Sequence, residues 1–349
     1  MKAMVLAAGK GTRLFPLTGV LPKPMAPVAG KPVLQHIFDL VTRSGAEEIH
    51  VNVHYRADAI LGLYGTETQV NGAKIYFTRE ERLTGTAGGA KRLASAGAFE
   101  ETFVVIMGDA LTDVDLRELV TFHKENGAIA TLALKHVGDT SEYGVAELDT
   151  KKNILRFQEK PELLEAKSNL ANTGIYVLEP EVLDYVPEGA FFDFAKDVFP
   201  RLLESGEKVV GYDEGEFYWS DIGTLESYRT AQRDALSGRV AVEVPGEWCG
   251  GGVWISDEAQ VHPSAYGFMG GYTFIGPKAV VGRGASLSGA VAVGDECWVS
   301  DGATVKQSVL LPGSSVGSGA YLEDCIVGPR YEVRPGEWIR GGALVRGVS

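Results

Sequence analysis

The chain has 349 residues, 45% hydrophobic and 23% charged, with a formal net charge of −13. That length carries a sizeable core and roughly two domains, and the acidic balance argues against nucleic acid or an anionic membrane as the main partner. Three cysteines, Cys249, Cys297 and Cys325, with no Cys-x-x-Cys pair, give neither a disulfide framework nor a zinc motif and point to a reducing, cytoplasmic setting.

The opening apolar run, residues 3–8, is too short for the roughly 7–15-residue core of a signal peptide and is expected as a strand. No run approaches the roughly 18–20 apolar residues of a membrane span. Pro32 opens a helix whose Val33, Leu34, Ile37, Phe38, Leu40 and Val41 share one face, and Ser44-Gly45 ends it. Residues 49–53 and 74–78 are expected as strands and 87–98 as a helix of small residues. The fully apolar run 103–107 suits the centre of a parallel sheet. Residues 115–126 are expected as a helix and 129–137 as a strand. Strands separated by helices of this length predict an α/β layer. His36, His50 and His54 lie close in sequence and are expected in surface or core roles, not as a metal cluster.

Near residue 238 the pattern changes. Val281, Leu287, Val293, Val299, Val305 and Leu311 stand six apart, and Ala285, Val291, Cys297, Ala303 and Val309 follow four residues after the first five of them. Ile255/Val261 and Val316/Leu322 repeat the spacing after small offsets. A hexapeptide period of aliphatics predicts a parallel β-helix of about four coils, joined to the first region over residues 236–248.

The opening strand leads into Gly9-Lys10-Gly11-Thr12-Arg13. Glycines there let the backbone approach a phosphate, exposed N–H groups form an anion nest, and Arg13 and Lys23 add positive charge. The dinucleotide fingerprint fails, because Leu14 stands where its third glycine belongs. A Walker A loop fails too, because Gly9-Lys10 is followed by Gly11. A tight strand-to-helix turn remains open on these residues alone. Asp109 ends an apolar strand and Asp221 starts a turn before a helix, so each fits either a helix cap or one of the carboxylates that hold Mg²⁺ beside substrate phosphates.

The full string Leu6-Ala7-Ala8-Gly9-Lys10-Gly11-Thr12-Arg13-Leu14, with Pro16-Leu17-Thr18 and Pro22-Lys23-Pro24, resembles the signature of the sugar-phosphate nucleotidylyltransferases. Gly85-Thr86-Ala87-Gly88, Gly108-Asp109, Glu142-Tyr143-Gly144, Glu159-Lys160-Pro161, Asn172-Thr173-Gly174-Ile175-Tyr176 and Trp219-Ser220-Asp221-Ile222-Gly223-Thr224 follow in that family's order. The resemblance implies a Rossmann-like mixed-sheet nucleotidyltransferase domain over residues 1–236 and a left-handed parallel β-helix over 249–349. It implies Mg²⁺-dependent transfer of a nucleotidyl group from an NTP to a sugar-1-phosphate. The nucleophile is then a phosphate oxygen, already ionised, so no general base is needed.

By the same resemblance Leu6, Ala8, Gly9, Gly11, Thr12, Gly85 and Thr86 hold the nucleotide. Arg13, Lys23 and Lys160 are the catalytic cations. Gly144, Glu159, Lys160, Asn172 and Thr173 hold the sugar phosphate, and Asp109 and Asp221 hold Mg²⁺. Length, tail and the stretch Glu323–Gly328 look most like mannose-1-phosphate guanylyltransferases. Ala7-Ala8 departs from the Gly-Gly common in that group, which keeps uridylyl or thymidylyl transfer to glucose-1-phosphate open. A non-catalytic scaffold is disfavoured because the implied cations and carboxylates are all present. With His262 as its one histidine, the tail is expected to serve homo-oligomerisation or regulation in preference to acyl transfer. Tyr266, Phe268, Tyr272, Phe274, Trp298, Trp338 and Val348 are candidate contacts, for assembly or for burial under the first domain.

Overall fold

Every residue of the strand Lys2–Ala7 after the first is buried, because the strand runs through a ten-stranded mixed sheet. Phe103–Met107 and Glu48–Val53 flank it in parallel, and Ala73–Arg79 lies parallel to Glu48–Val53. Beyond Phe103–Met107 the direction reverses, with Leu170–Leu178 antiparallel to it. The register places Leu6 beside both Asn52 and Met107, so three carboxyl strand ends share one edge. In α/β sheets that edge is where ligands bind.

The structure, a computed structural model, describes residues 1–162 and 165–347. It forms two units interleaved along the chain: Met1–Gly9, Ile37–Asp109 and Val114–Trp219 in the first, and Lys10–His36, Ala110–Asp113 and the chain from Ser220 onward in the second. No helix among the described residues is long and apolar enough to cross a membrane.

In the first unit the expected strands and helices form within one to three residues of the expected bounds. Helix Leu116–Asn126 starts where the Asp115 carboxylate accepts the N–H groups of Arg117 and Glu118 at 2.8 and 3.2 Å, and stops at Gly127. The helix expected to start at 87 begins two residues earlier, as Gly85–Ser95. Helix Ala57–Tyr64 has no clear periodicity, because Gly62 interrupts it and Leu63 faces solvent. One side of the sheet is sealed by Tyr176, Phe194 and Phe199: Tyr176 meets the two phenylalanines edge-on at 5.7 and 4.9 Å, and these stack on each other at 6.0 Å. Rings of this size contribute roughly 1.5–3 kcal/mol each on burial.

In the second unit short parallel strands stack into a seven-stranded sheet, whose first strand Glu247–Trp248 is antiparallel, and two five-stranded sheets. This series is consistent with a left-handed β-helix. It has five strands on each of two faces, more than four coils' worth, because the helical insertion Pro263–Phe268 hides the first coil from the six-residue count. Val281, Leu287, Val293, Val299 and Val305 fill the interior at 0–1% exposure. The period then slips. Val293 pairs with Leu310, and so Leu310 takes the interior place expected of Leu311. The later coils are one residue shorter: Val299 pairs with Val316, which pairs with Val333. One corner recurs at Gly284, Gly302, Gly319 and Gly336 with φ of 66–69°, a left-handed turn that glycine adopts without strain. Cys297 and Cys325 are buried as free thiols, both pushed up by burial, while the free Cys249 is exposed.

Also within this unit, helix Leu225–Leu236 opens on a Thr224–Ser227 capping box. It holds the hairpin of Pro27–Val28 and Lys31–Pro32 through Tyr228 Oη donating to Pro27 O (2.6 Å) and Ala29 N donating to Gln232 Oε1 (2.8 Å). Phe274 is buried with its ring over Gly30, whereas Trp298 and Trp338 are exposed. Residues 348–349, and with them the Val348 contact expected from the sequence, lie outside the described residues, as do the side chains of residues 266–268.

Candidate active site

The first unit carries a cavity of about 230 Å³ at the carboxyl edge of the sheet, lined by Leu6, Ala8, Gly9, Asn52, Leu83, Gly85, Thr86, Met107, Asp109, Phe191 and Asp193. The structure thus brings Leu6, Ala8, Gly9, Gly85, Thr86 and Asp109 of the sequence-predicted set to one place. The sheet explains why: Gly108 N donates to Leu6 O at 2.9 Å, which fixes Asp109 beside the end of the opening strand.

Gly85 has φ +77°, and a Cβ there would lie 2.2 Å from the Phe192 carbonyl oxygen, so the turn closes only around glycine. The N–H groups of Ala87 and Gly88 donate to that same carbonyl at 3.0 and 3.1 Å. The Thr86 hydroxyl donates to Asp193 Oδ2 (2.8 Å) and accepts from Phe194 N (2.9 Å). Its oxygen therefore clamps the segment bearing Phe191 and Asp193. Gly9 has open space around its Cα, which suits close approach of a ligand to the backbone.

Also in this unit lie the residues expected on the sugar side. Asn172 N donates to Gly144 O (2.7 Å) and Lys160 N to Tyr143 O (3.2 Å), which ties the three motifs together. A Cβ on Gly144 would meet Phe157 at 2.7 Å and Glu159 Oε2 at 2.9 Å. Glu159's carboxyl is raised above the ordinary range by partial burial, against the opposing pull of Lys196 and Lys160. Lys160 is exposed on a left-handed backbone of φ 46°. Asn172 donates to Tyr176 Oη at 3.0 Å. The Thr173 side chain is buried and donates to Ala133 O at 2.7 Å, so its carbonyl, which accepts from Trp219 Nε1 at 3.0 Å, is held by the sheet.

The second unit carries the remaining predicted residues. Asp221 receives Lys23 Nζ on Oδ1 at 2.5 Å and Arg13 Nη2 on Oδ2 at 2.9 Å. Lys23 is 6% exposed, whereas the Arg13 side chain is 43% exposed. Gly11 has φ +60°, with Lys23 Cβ only 2.9 Å from where its own Cβ would be, and Thr18 Oγ1 donates to its carbonyl at 3.1 Å. Thr12 is exposed at the start of the next turn. The loop is thus a folded cation cluster that the Asp221 carboxylate helps to close.

His36, His50 and His54 are separately engaged, by Val28 O, the Glu48 carboxylate and Glu80 O at 2.8–2.9 Å. The sequence reading missed Asn52, Leu83, Met107, Phe191 and Asp193 in the cavity wall. Asn52 carried a usable signal, as a polar residue near the carboxyl end of a strand neighbouring the opening one.

Residues 2–238 match the nucleotidyl transferase family model, and residues 269–347 match the model of the GMPPB C-terminal domain. A UTP–glucose-1-phosphate uridylyltransferase of Synechocystis is 39% identical over 95% of this chain and 88% of its own length. A mannose-1-phosphate guanylyltransferase of Mycobacterium tuberculosis is 36% identical over 83% of this chain and 79% of its own. Among solved structures, HddC from Yersinia pseudotuberculosis complexed with GMP-PN superposes with a TM-score of 0.57 at 26% identity, covering 67% of this chain and 99% of that one.

Proposed function

The chain belongs to the sugar-1-phosphate nucleotidyltransferases, and on that premise we propose that it joins GTP and mannose-1-phosphate to give GDP-mannose and pyrophosphate. The observation that carries the choice is the match of its coil to the C-terminal domain model of GMPPB, together with the M. tuberculosis guanylyltransferase relative. The second reading, uridylyl transfer to glucose-1-phosphate, is favoured by the 39% identical Synechocystis relative.

A sugar-phosphate oxygen attacks the α-phosphorus, a new P–O bond forms, and the bond to the β-phosphate breaks, with pyrophosphate carrying away the electron pair. Catalysis is positioning and charge neutralisation. In this reading the cavity of the first unit takes base and ribose against Leu6, Ala8, Gly9, Gly85 and Thr86. Gly11 and Thr12 shape the phosphate loop, and Arg13 and Lys23 neutralise the triphosphate and the departing pyrophosphate. Lys160 neutralises the sugar phosphate, while Gly144, Glu159, Asn172 and Thr173 form the sugar side.

Asp109 and Asp221 would hold Mg²⁺. Their oxygen donors suit a hard cation, which commonly takes one or two protein carboxylates and completes its shell with substrate phosphates and water. The ion's contribution is neutralisation of phosphate charge. The reading places the catalytic region at residues 1–236 and the coil domain at 249–349, in a cytoplasmic homo-oligomer joined through the coil.

A pyrophosphate-release panel of five NTPs against mannose-, glucose- and N-acetylglucosamine-1-phosphates, with and without Mg²⁺, tests it. GTP with mannose-1-phosphate should give the highest kcat/KM. A maximum at UTP with glucose-1-phosphate would replace the first reading with the second.

A further inference from the structure

We propose that Glu80 is a positioning residue for the nucleotide, holding two backbone walls of the cavity in register through Asn52 and Thr84; this rests on reading that cavity as the nucleotide site. Glu80 follows the strand Ala73–Arg79 and is 3% exposed. Its Oε1 accepts from Asn52 Nδ2 at 2.7 Å, and its Oε2 accepts from the Thr84 N–H and hydroxyl, each at 3.2 Å. Asn52, also 3% exposed, uses Oδ1 to accept the Ala7 N–H at 3.1 Å. Ala7 leads directly into the Ala8-Gly9 wall, and Thr84 leads into the Gly85-Thr86 wall. A Cβ on Gly89 would lie 2.7 Å from Glu80 Oε1 and 3.0 Å from Asn52 Nδ2, so the helix presses on the same pair.

The chemistry of this chain of bonds runs one way only. Both of its ends, Ala7 N–H and Thr84 N–H, are backbone donors that cannot reverse. Asn52 must therefore turn its oxygen to Ala7 and its amide to residue 80. Residue 80 must then accept on both sides, which a carboxylate does and a primary amide does not. Glu80→Gln would force an NH₂ group against either the Asn52 amide or the Thr84 N–H. Asn52→Asp would set two carboxylates face to face. The double variant N52D/E80Q restores every donor–acceptor pair: the acid at 52 accepts from Ala7 and from the new amide, whose carbonyl accepts from Thr84. A network acting by hydrogen-bond direction predicts that two damaging changes cancel.

NTP binding by calorimetry without sugar phosphate, kcat and both KM values, and Tm are measured for wild type, N52D, E80Q and N52D/E80Q. Each single variant should raise the NTP Kd and KM about tenfold while the sugar-1-phosphate KM stays within about twofold, and the double variant should return to within about threefold of wild type. Should a single variant fail to fold, Gly89→Ala, which displaces Glu80 without changing its chemistry, should raise the NTP KM in the same direction. Wild-type-like single variants, or a double variant no better than either single one, would overturn the role. So would an E80Q variant that changes which NTP is preferred and is not repaired by N52D, since Glu80 would then act on the base itself. No NTP binding by the wild-type chain would overturn the functional reading and this role together, whereas wild-type binding that E80Q leaves intact overturns the role alone.

Discussion

The cavity of the first unit and the cation cluster of the second are built by opposite means. In the cavity, position comes from backbone and from buried hydrogen bonds: Gly85 folds against Phe192, the Thr86 hydroxyl clamps Asp193 and Phe194, and Glu80 joins Asn52 to Thr84. In the cluster, position comes from charge, with Arg13 and Lys23 sharing the two oxygens of Asp221. A wall made of backbone cannot rearrange cheaply and so can read shape. Lys23 is buried in that cluster, but the Arg13 side of it is exposed, and an exposed ion pair contributes little to stability and exchanges partners readily, which is what neutralising an arriving and departing phosphate demands. Stability and turnover should therefore respond in opposite patterns to changes in the two places.

The largest effect is expected in the cluster. Arg13→Ala should lower pyrophosphate release by more than tenfold, on the scale of about 10²-fold for losing one preorganised charge donor. Its Tm should move little, because the Arg13 side chain is 43% exposed. Asp109→Asn, although Asp109 lies in the cavity wall, should lower pyrophosphate release by a similar factor, because its proposed part is to hold the metal and not to shape the wall. Near-normal pyrophosphate release from either variant would remove that residue from the proposed mechanism, and a large fall in Tm would show that the cluster is structural after all.

The cavity should show the reverse. Gly85→Ala puts a Cβ 2.2 Å from the Phe192 oxygen on a left-handed backbone, so a loss of roughly 1–3 kcal/mol in unfolding free energy is expected along with weaker NTP binding. Gly9→Ala meets no atom within 4 Å. It should leave the urea midpoint unchanged and raise the NTP KM several-fold by filling the space into which the ligand packs. If both glycine variants lose stability equally, or if Gly9→Ala leaves the NTP KM untouched, the cavity is not the backbone-built nucleotide wall described above.

How far each region could be read from the sequence follows the same division. The apolar strand 103–107 and its Gly108-Asp109 end were legible, because burial on both faces removes polar residues from a central strand. The coil was legible as a period, yet its slip was not, because Leu310 and Leu311 are both apolar and both buried and only strand register tells them apart. Arg13, Lys23 and Asp221 were legible as motif letters, while their mutual pairing across about 200 residues of chain was not. The Asn52–Glu80–Thr84 bonds were only partly legible. Asn52 shows as a polar residue near the carboxyl end of its strand, but nothing local names its partner, and Glu80 sits in the charged stretch Arg79-Glu80-Glu81-Arg82 that looks like surface.

The smallest expected effect tests whether the first unit's interior disfavours charge generally. His123 is 1% exposed, with Nδ1 against Thr131 Oγ1 at 2.8 Å and Nε2 against Glu179 Oε1 at 3.0 Å. Those partners suit the neutral ring, with Nε2–H donating to Glu179 and Nδ1 accepting from Thr131. Burial pushes its pKa below the ordinary value of 6.5, although Glu179 pulls the other way. The folded state thus resists a proton that the unfolded chain accepts. Stability from this group is intact above about pH 6.5 and declines as pH falls from there through the folded pKa. Between pH 7.5 and 5.5 the wild-type Tm should therefore fall by a few degrees more than that of His123→Gln, which has no proton to take up. Parallel Tm curves for the two proteins would mean that Glu179 compensates burial fully. The interior of the first unit would then tolerate charge as the Arg13–Lys23–Asp221 cluster does, and the contrast between the two regions would rest on the glycines alone.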